Sequence, residues 1–159
     1  MKSAIDDLQS EIPINIALSH DTKPSASVAR SLNFSRLPGS FAICRLAANA
    51  PVPEWALRGS FFSVTSTADE LSIVCPGTQV PSEIVHENGW ACLKLQGPFP
   101  FSETGILASF VRPLSQRAIP IFAVSTFDTD YVLIKQDWLE KAVQALCDAG
   151  HEEVDWQNS

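Results

Sequence analysis

Hydrophobic and polar positions along this chain fall into short, punctuated segments. Residues 1–37 are polar and irregular, and SHDTKPSASVARS carries turn and linker residues, which predicts a partly irregular N-terminal extension. From Phe41 the texture changes. FAICRL predicts a strand with Phe41, Ile43 and Arg45 on one face and Ala42, Cys44 and Leu46 on the other. PVPEWALRG predicts one short helical turn, entered through prolines and stopped by Gly59. FFSVTSTADELSIVCPG splits into strands over 61–66 and 71–75 around a connection at 67–70. TQVPSEIVHENG is polar and predicts at most one helical turn.

A second unit begins at Trp90. WACLKL predicts a strand with Ala91, Leu93 and Leu95 on one face, followed by the proline-rich loop GPFPFS. A helix is predicted over 103–117, with Ile106, Leu107, Phe110, Val111 and Leu114 on one face and Pro113 expected to kink or break it. Strands follow over 119–125 and 131–135, with Pro120 placing the first at a sheet edge or bulge. A second helix over 137–149 opens on a capping-box pair, Asp137 and Glu140, and buries Trp138, Leu139, Ala142, Val143 and Leu146. Gly150 suits its C-terminal cap, and HEEVDW predicts a short last strand.

The second unit therefore reads β-α-β-β-α-β, an antiparallel sheet with helices on one face. The first reads as the same plan with a reduced second helix. The expected class is α+β, built of two tandem ferredoxin-like units: an extension at 1–37, a first unit at 38–88 and a second at 89–157. An internal comparison supports the repeat. Residues 61–75 lie without gaps on 121–135, matching Phe62 with Phe122 and Val64 with Val124.

Composition narrows function. Hydrophobic residues make up 45%, enough for a core, and the net charge of −7 offers no positive field to nucleic acid or an anionic membrane. No stretch approaches the ~20 apolar residues of a membrane span, and the N-terminus lacks a secretory pattern, so the expectation is a soluble, cytoplasmic protein. Cys44, Cys75, Cys92 and Cys147 lie far apart with no metal-ligand spacing, which predicts buried free thiols. His20, His86 and His151 are expected to be solvated. No nucleophile motif, phosphate loop or dinucleotide fingerprint occurs, so neither catalysis nor a cofactor is expected.

The segment TGILASF, followed by PLSQRAIPIFAV and STFDTDYVLIK, resembles the signature of ACT-domain proteins over roughly residues 41–155. It is similar in particular to the tandem ACT pairs of aspartate kinase regulatory regions and of CASTOR-type cytosolic arginine sensors. The resemblance implies a non-catalytic regulatory module that pairs sheets side by side into a homodimer and binds an amino-acid-like effector. Carried over, the strand–helix loop supplies Glu103, Gly105, Ile106 and Leu107, and the later connection supplies Phe127 and Asp130. The first unit has APVPEW in place of the Thr-Gly pair, with Thr67 and Ala68 opposite Phe127 and Asp128, so the site is expected on the second unit alone, with Glu103, Thr104, Gly105, Ile106, Leu107, Phe127, Asp128 and Asp130 as its candidate ligand-binding residues.

The residues make a separate physical case. Gly costs a helix about 1 kcal/mol relative to Ala, so Gly105 at a helix entry needs a reason. The first N–H groups of a helix lack intrahelical partners and carry partial positive charge, a seat for a carboxylate that a glycine leaves open. Glu103, Asp128 and Asp130 offer acceptors for an ammonium, and Phe127 an apolar wall. Blander roles stand beside these. Thr104-Gly105 could simply let the helix pack close to its sheet, 125–130 could be an ordinary hairpin connection, and Asp128 could cap a turn or join Asp130 in weak cation binding. The functional alternative is a ligand-free dimerisation or interaction module acting on a protein partner. The edge most suited to pairing across a two-fold axis is 119–124.

Overall fold

The computed structural model describes residues 30–156, so expectations about residues 1–29, His20 among them, lie outside the described residues. Eight strands and two helices follow in chain order: β1 Asn33–Arg36, β2 Phe41–Leu46, β3 Ser63–Ser66, β4 Leu71–Pro76, β5 His86–Leu95, α1 Ile106–Gln116, β6 Ile121–Ser125, β7 Asp130–Lys135, α2 Leu139–Asp148 and β8 Glu152–Glu153. Single 3₁₀ turns sit at Glu54–Leu57, Gly77–Gln79 and Gln136–Trp138. The expected α+β class holds.

All eight strands form one sheet, organised around β5. One edge of β5 takes β7, from Trp90↔Lys135 to Lys94↔Tyr131. The other edge takes β2 along its first half and β1 along its second, with pairs Phe41↔Trp90 and Phe34↔Leu95. β4 and β3 continue outward from β2, β8 lies parallel to β1, and β6 closes the far side of β7. The expected boundary between residues 88 and 89 falls inside β5, which starts four residues before the predicted WACLKL strand.

The expected extension is corrected in its last residues. Asn33–Arg36 is an interior strand, and Phe34 is fully buried, edge-on to Phe110 at 5.4 Å. Four residues with a single large apolar side chain carry too little alternation to announce a strand. Its burial comes from pairing with β5 and β8, not from local pattern.

The two helices cover one sheet face, where Phe34, Leu93, Leu95, Val132 and Ile134 meet Ile106, Phe110, Leu114 and Leu146. Among the described residues, the opposite face has no helix. There Phe41, Cys92 and Leu133 lie under Phe61, which stacks on Tyr131 at 4.4 Å. The predicted alternation in β2 holds, since Phe41 and Ile43 join this cluster while Ala42 and Cys44 face Ile73 and Cys75 on the other side.

Helix α1 starts at Ile106, three residues later than expected, because Gly105 takes a left-handed φ of 79°. It also runs on past Pro113. A proline at 113 has no N–H for the carbonyl of Ser109 four residues back. That carbonyl instead faces Nε2 of His151 at 3.4 Å, while Nδ1 of the same ring accepts the Leu32 N–H at 3.2 Å. His151 is therefore buried, not solvated, with 5% of its surface exposed. It is delivered there by the end of α2, where Gly150 at φ 91° closes the helix and the N–H groups of Gly150 and His151 bond to the carbonyls of Cys147 and Leu146.

Three other expectations are corrected. Asp137 makes no capping bond at α2, because a 3₁₀ turn precedes the helix and Trp138 is its N-cap; Glu140 pairs instead with Arg36. Cys147 is exposed on the polar side of α2, whereas Cys44, Cys75 and Cys92 are buried as free thiols, and burial pushes Cys92 up to about 12. The repeat is offset by 59 residues, not 60. Ser66↔Leu71 and Ser125↔Asp130 close the two hairpins around Thr67–Glu70 and Thr126–Thr129. A one-residue slip exchanges sheet faces, so the matched phenylalanines are not structural equivalents, and Asp128 corresponds to Asp69.

Burial holds the His151 imidazole below its ordinary pKa. The unfolded chain therefore binds the proton more readily, so this contribution to stability is complete above pH ~6.5 and falls as the pH drops below it. Melting temperatures measured between pH 8 and pH 5 should decline through this window in the native chain. The step should vanish in His151→Gln. His151→Ala should cost about 1–3 kcal/mol at neutral pH by urea unfolding, since it strands the Leu32 N–H.

Candidate functional site

The sheet, the loop after β5 and the first turns of α1 enclose an open pocket of about 590 Å³. All but one of the sequence-predicted residues line it: Glu103, Gly105, Ile106 and Leu107 on one side, Phe127, Asp128 and Asp130 on the other. Thr104 does not. Sequence reasoning missed Phe99, Phe101 and Val111, which add apolar lining, and Arg30, which reaches Glu103 from outside.

The wall at 126–129 is locked to the loop after β5. Thr129 is buried, and its hydroxyl donates to the Leu95 carbonyl at 2.7 Å. The Phe99 N–H donates to the Asp128 carbonyl at 2.9 Å. The turn itself is closed by the N–H and hydroxyl of Thr126, both donating to the Thr129 carbonyl. Gly97 permits this approach, since a Cβ there would stand 2.5 Å from the Asp128 carbonyl oxygen. The close-approach glycine of this site is thus Gly97, whereas a Cβ on Gly105 would meet nothing within 4 Å.

Gly105 has its own reason, the left-handed φ that turns the loop into α1. Among the described residues no side chain caps this end of the helix, and the first intrahelical bond runs from the Ser109 N–H to the Gly105 carbonyl. The N–H groups of Ile106, Leu107 and Ala108 therefore have no partner within the helix, and all three residues line the pocket. Across from them, Asp130 accepts a 2.5 Å hydrogen bond from the Ser125 hydroxyl. Glu103 is ion-paired to Arg30 and so is not a free acceptor. Phe101 and Phe127 stand at the rim, 77% and 78% exposed, edge-on to each other at 5.0 Å.

The pocket lining thus combines helix N–H groups that have no intrahelical partner and carry partial positive charge with carboxylates and apolar side chains. That arrangement suits a small zwitterion. Among the described residues, no group of three His, Cys, Asp or Glu side chains is placed to hold a metal ion, and no helix is long and apolar enough to cross a membrane.

Residues 85–148, from the start of β5 to the end of α2, match the family model described as the ACT domain. A second family model, for an N-terminal domain, matches residues 39–83. The chain belongs to the same family as protein Atu0741 from Agrobacterium tumefaciens, with 45% identity, a TM-score of 0.76, and coverage of 79% of this chain and 94% of that one. The fold is shared with VC0802 from Vibrio cholerae, at 14% identity and a TM-score of 0.62, covering 77% of this chain and 92% of that one. It is shared also with the aspartate kinase of Clostridium acetobutylicum, at 15% identity and a TM-score of 0.55, where 75% of this chain covers 34% of the enzyme. No curated protein matches the sequence.

Gly97→Ala should force the Asp128 carbonyl away and loosen the wall. The expected cost is about 1–3 kcal/mol by urea unfolding, with amide chemical shifts moving at 126–130. Unchanged stability and shifts would show that this close approach does not hold the wall.

Proposed function

We propose that the chain is a non-catalytic regulatory module that binds an amino acid in this pocket. The observation that carries the reading is that the N-terminus of α1, with no side-chain cap among the described residues, lines one largely apolar pocket together with Asp128 and Asp130. The ligand carboxylate sits on the N–H groups of 106–108, and its ammonium meets the carboxylates of the hairpin turn. Further support comes from the ACT-domain match and from the fold shared with an aspartate kinase described as an allosteric enzyme.

On this reading the chain holds two ACT-like units that share β5. Strand order β5-β2-β4-β3 in the first half repeats the order β5-β7-β6 with β8 on the other flank in the second, where β1 is inserted between β8 and β5. The first unit has a four-residue 3₁₀ turn where the second has α1, so it lacks a helix end to seat a carboxylate. The unit boundary falls within β5, the 1–29 segment precedes both units, and the module works in the cytoplasm as a homodimer paired along β6. Light scattering at micromolar concentration should give twice the 17.3 kDa chain mass.

A thermal-shift panel of the twenty amino acids at millimolar concentration tests the function. A ligand at 100 times its dissociation constant adds about 2.7 kcal/mol, a clear rise in melting temperature. Gly105→Asp should keep the fold at a cost of about 1–2 kcal/mol, since its Cβ meets nothing within 4 Å and Asp tolerates the left-handed φ of 79° better than most residues, and should lose the response because its carboxylate takes the ligand's place. A flat panel, together with a protein partner captured in the absence of ligand, would favour the ligand-free interaction module. An unchanged response in Gly105→Asp would place the site elsewhere.

A further inference from the structure

Among the described residues, three carboxylates line the pocket, Glu103, Asp128 and Asp130, and no Lys, Arg or His does. Glu103 differs from the other two in having a cation on it, the guanidinium of Arg30. Arg30 pairs with Glu103 without itself belonging to the lining. Its backbone is fixed by its neighbours: the Ser31 hydroxyl donates to the Gly150 carbonyl at 2.6 Å, and the Leu32 N–H to Nδ1 of His151. The residue just before β1 is thereby held where its side chain meets the loop that opens α1.

Resting on the amino-acid reading of the pocket, we propose that Arg30 is a positioning residue that sets the site's charge preference. By holding and neutralising Glu103 it removes one of the three negative charges a ligand would meet. The two remaining carboxylates, both on the hairpin side, then face the ligand's cationic end, and the helix side is left to its carboxylate. Without Arg30, Glu103 stands uncompensated beside the helix N-terminus. It then repels the ligand carboxylate and attracts any additional cation.

Two variants of the full chain, Arg30→Gln and Arg30→Lys, test this by calorimetric titration with L-lysine and its uncharged counterpart L-norleucine. Arg30→Gln should shift the ratio of their affinities toward L-lysine by about five-fold at low salt, the scale of a partly exposed charge pair. Arg30→Lys should keep the native ratio, and molar salt should erase the shift. A ratio unchanged in Arg30→Gln overturns the proposal. A second arm needs no ligand: trypsin should cut after Arg30 faster in Glu103→Gln than in the native chain, read by mass spectrometry. Unchanged cutting overturns the proposal by showing that Arg30 is not held on Glu103. If the native chain binds neither probe while Glu103→Gln is cut faster, the failure lies with the amino-acid reading, and the hold of Arg30 on Glu103 stands.

Discussion

The pairing of β5 on both edges is the constraint on which the rest of the structure depends. Its ten residues bond to β7 on one side and to β2 and β1 in succession on the other. Neither half of the chain owns this strand. Its first half completes the sheet of β2, β3 and β4, and its second half carries Leu93 and Leu95 into the core beneath both helices. Ala91, Cys92, Leu93 and Leu95 in its second half are buried, and Cys92 and Leu93 have no exposed surface. A change that breaks β5 therefore disturbs both cores together.

The candidate site hangs from the C-terminal end of the same strand. The Leu95 carbonyl takes the Thr129 hydroxyl, Gly97 admits the Asp128 carbonyl, and the loop then runs through Phe99 and Phe101 to Gly105 and α1. The hairpin wall is thus hydrogen-bonded to the end of β5 and the loop after it, and the same loop leads into the helix wall. The rim aromatics, Phe101 and Phe127, contact each other but are largely exposed.

Much of the second half was legible in the sequence, because its helices carry long apolar stripes and its strands alternate. The features that escaped are set by tertiary contact. β1 has one large apolar residue, and its place between β5 and β8 is a long-range pairing that no local pattern encodes. The start of β5 at His86 lies in a polar run whose strand character comes from pairing with β2. His151 looked like a solvated residue after a helix, yet Pro113, 38 positions earlier, leaves the carbonyl that its ring faces. In the site, the residue types near Gly105 and in the 125–130 turn signalled a ligand-sized pocket. The role of Gly97 and the counter-ion from Arg30 needed the fold to bring distant segments together.

On the proposed function, the N-terminal end of α1 and the hairpin turn at 126–129 form one amino-acid site. The most direct measurement is an amide chemical-shift titration of the ¹⁵N-labelled full chain with amino acids. The account predicts saturable shifts concentrated at the N–H groups of Ile106, Leu107 and Ala108 and at residues 126–130. Saturable shifts confined to another part of the sheet, or none with any amino acid, would contradict it.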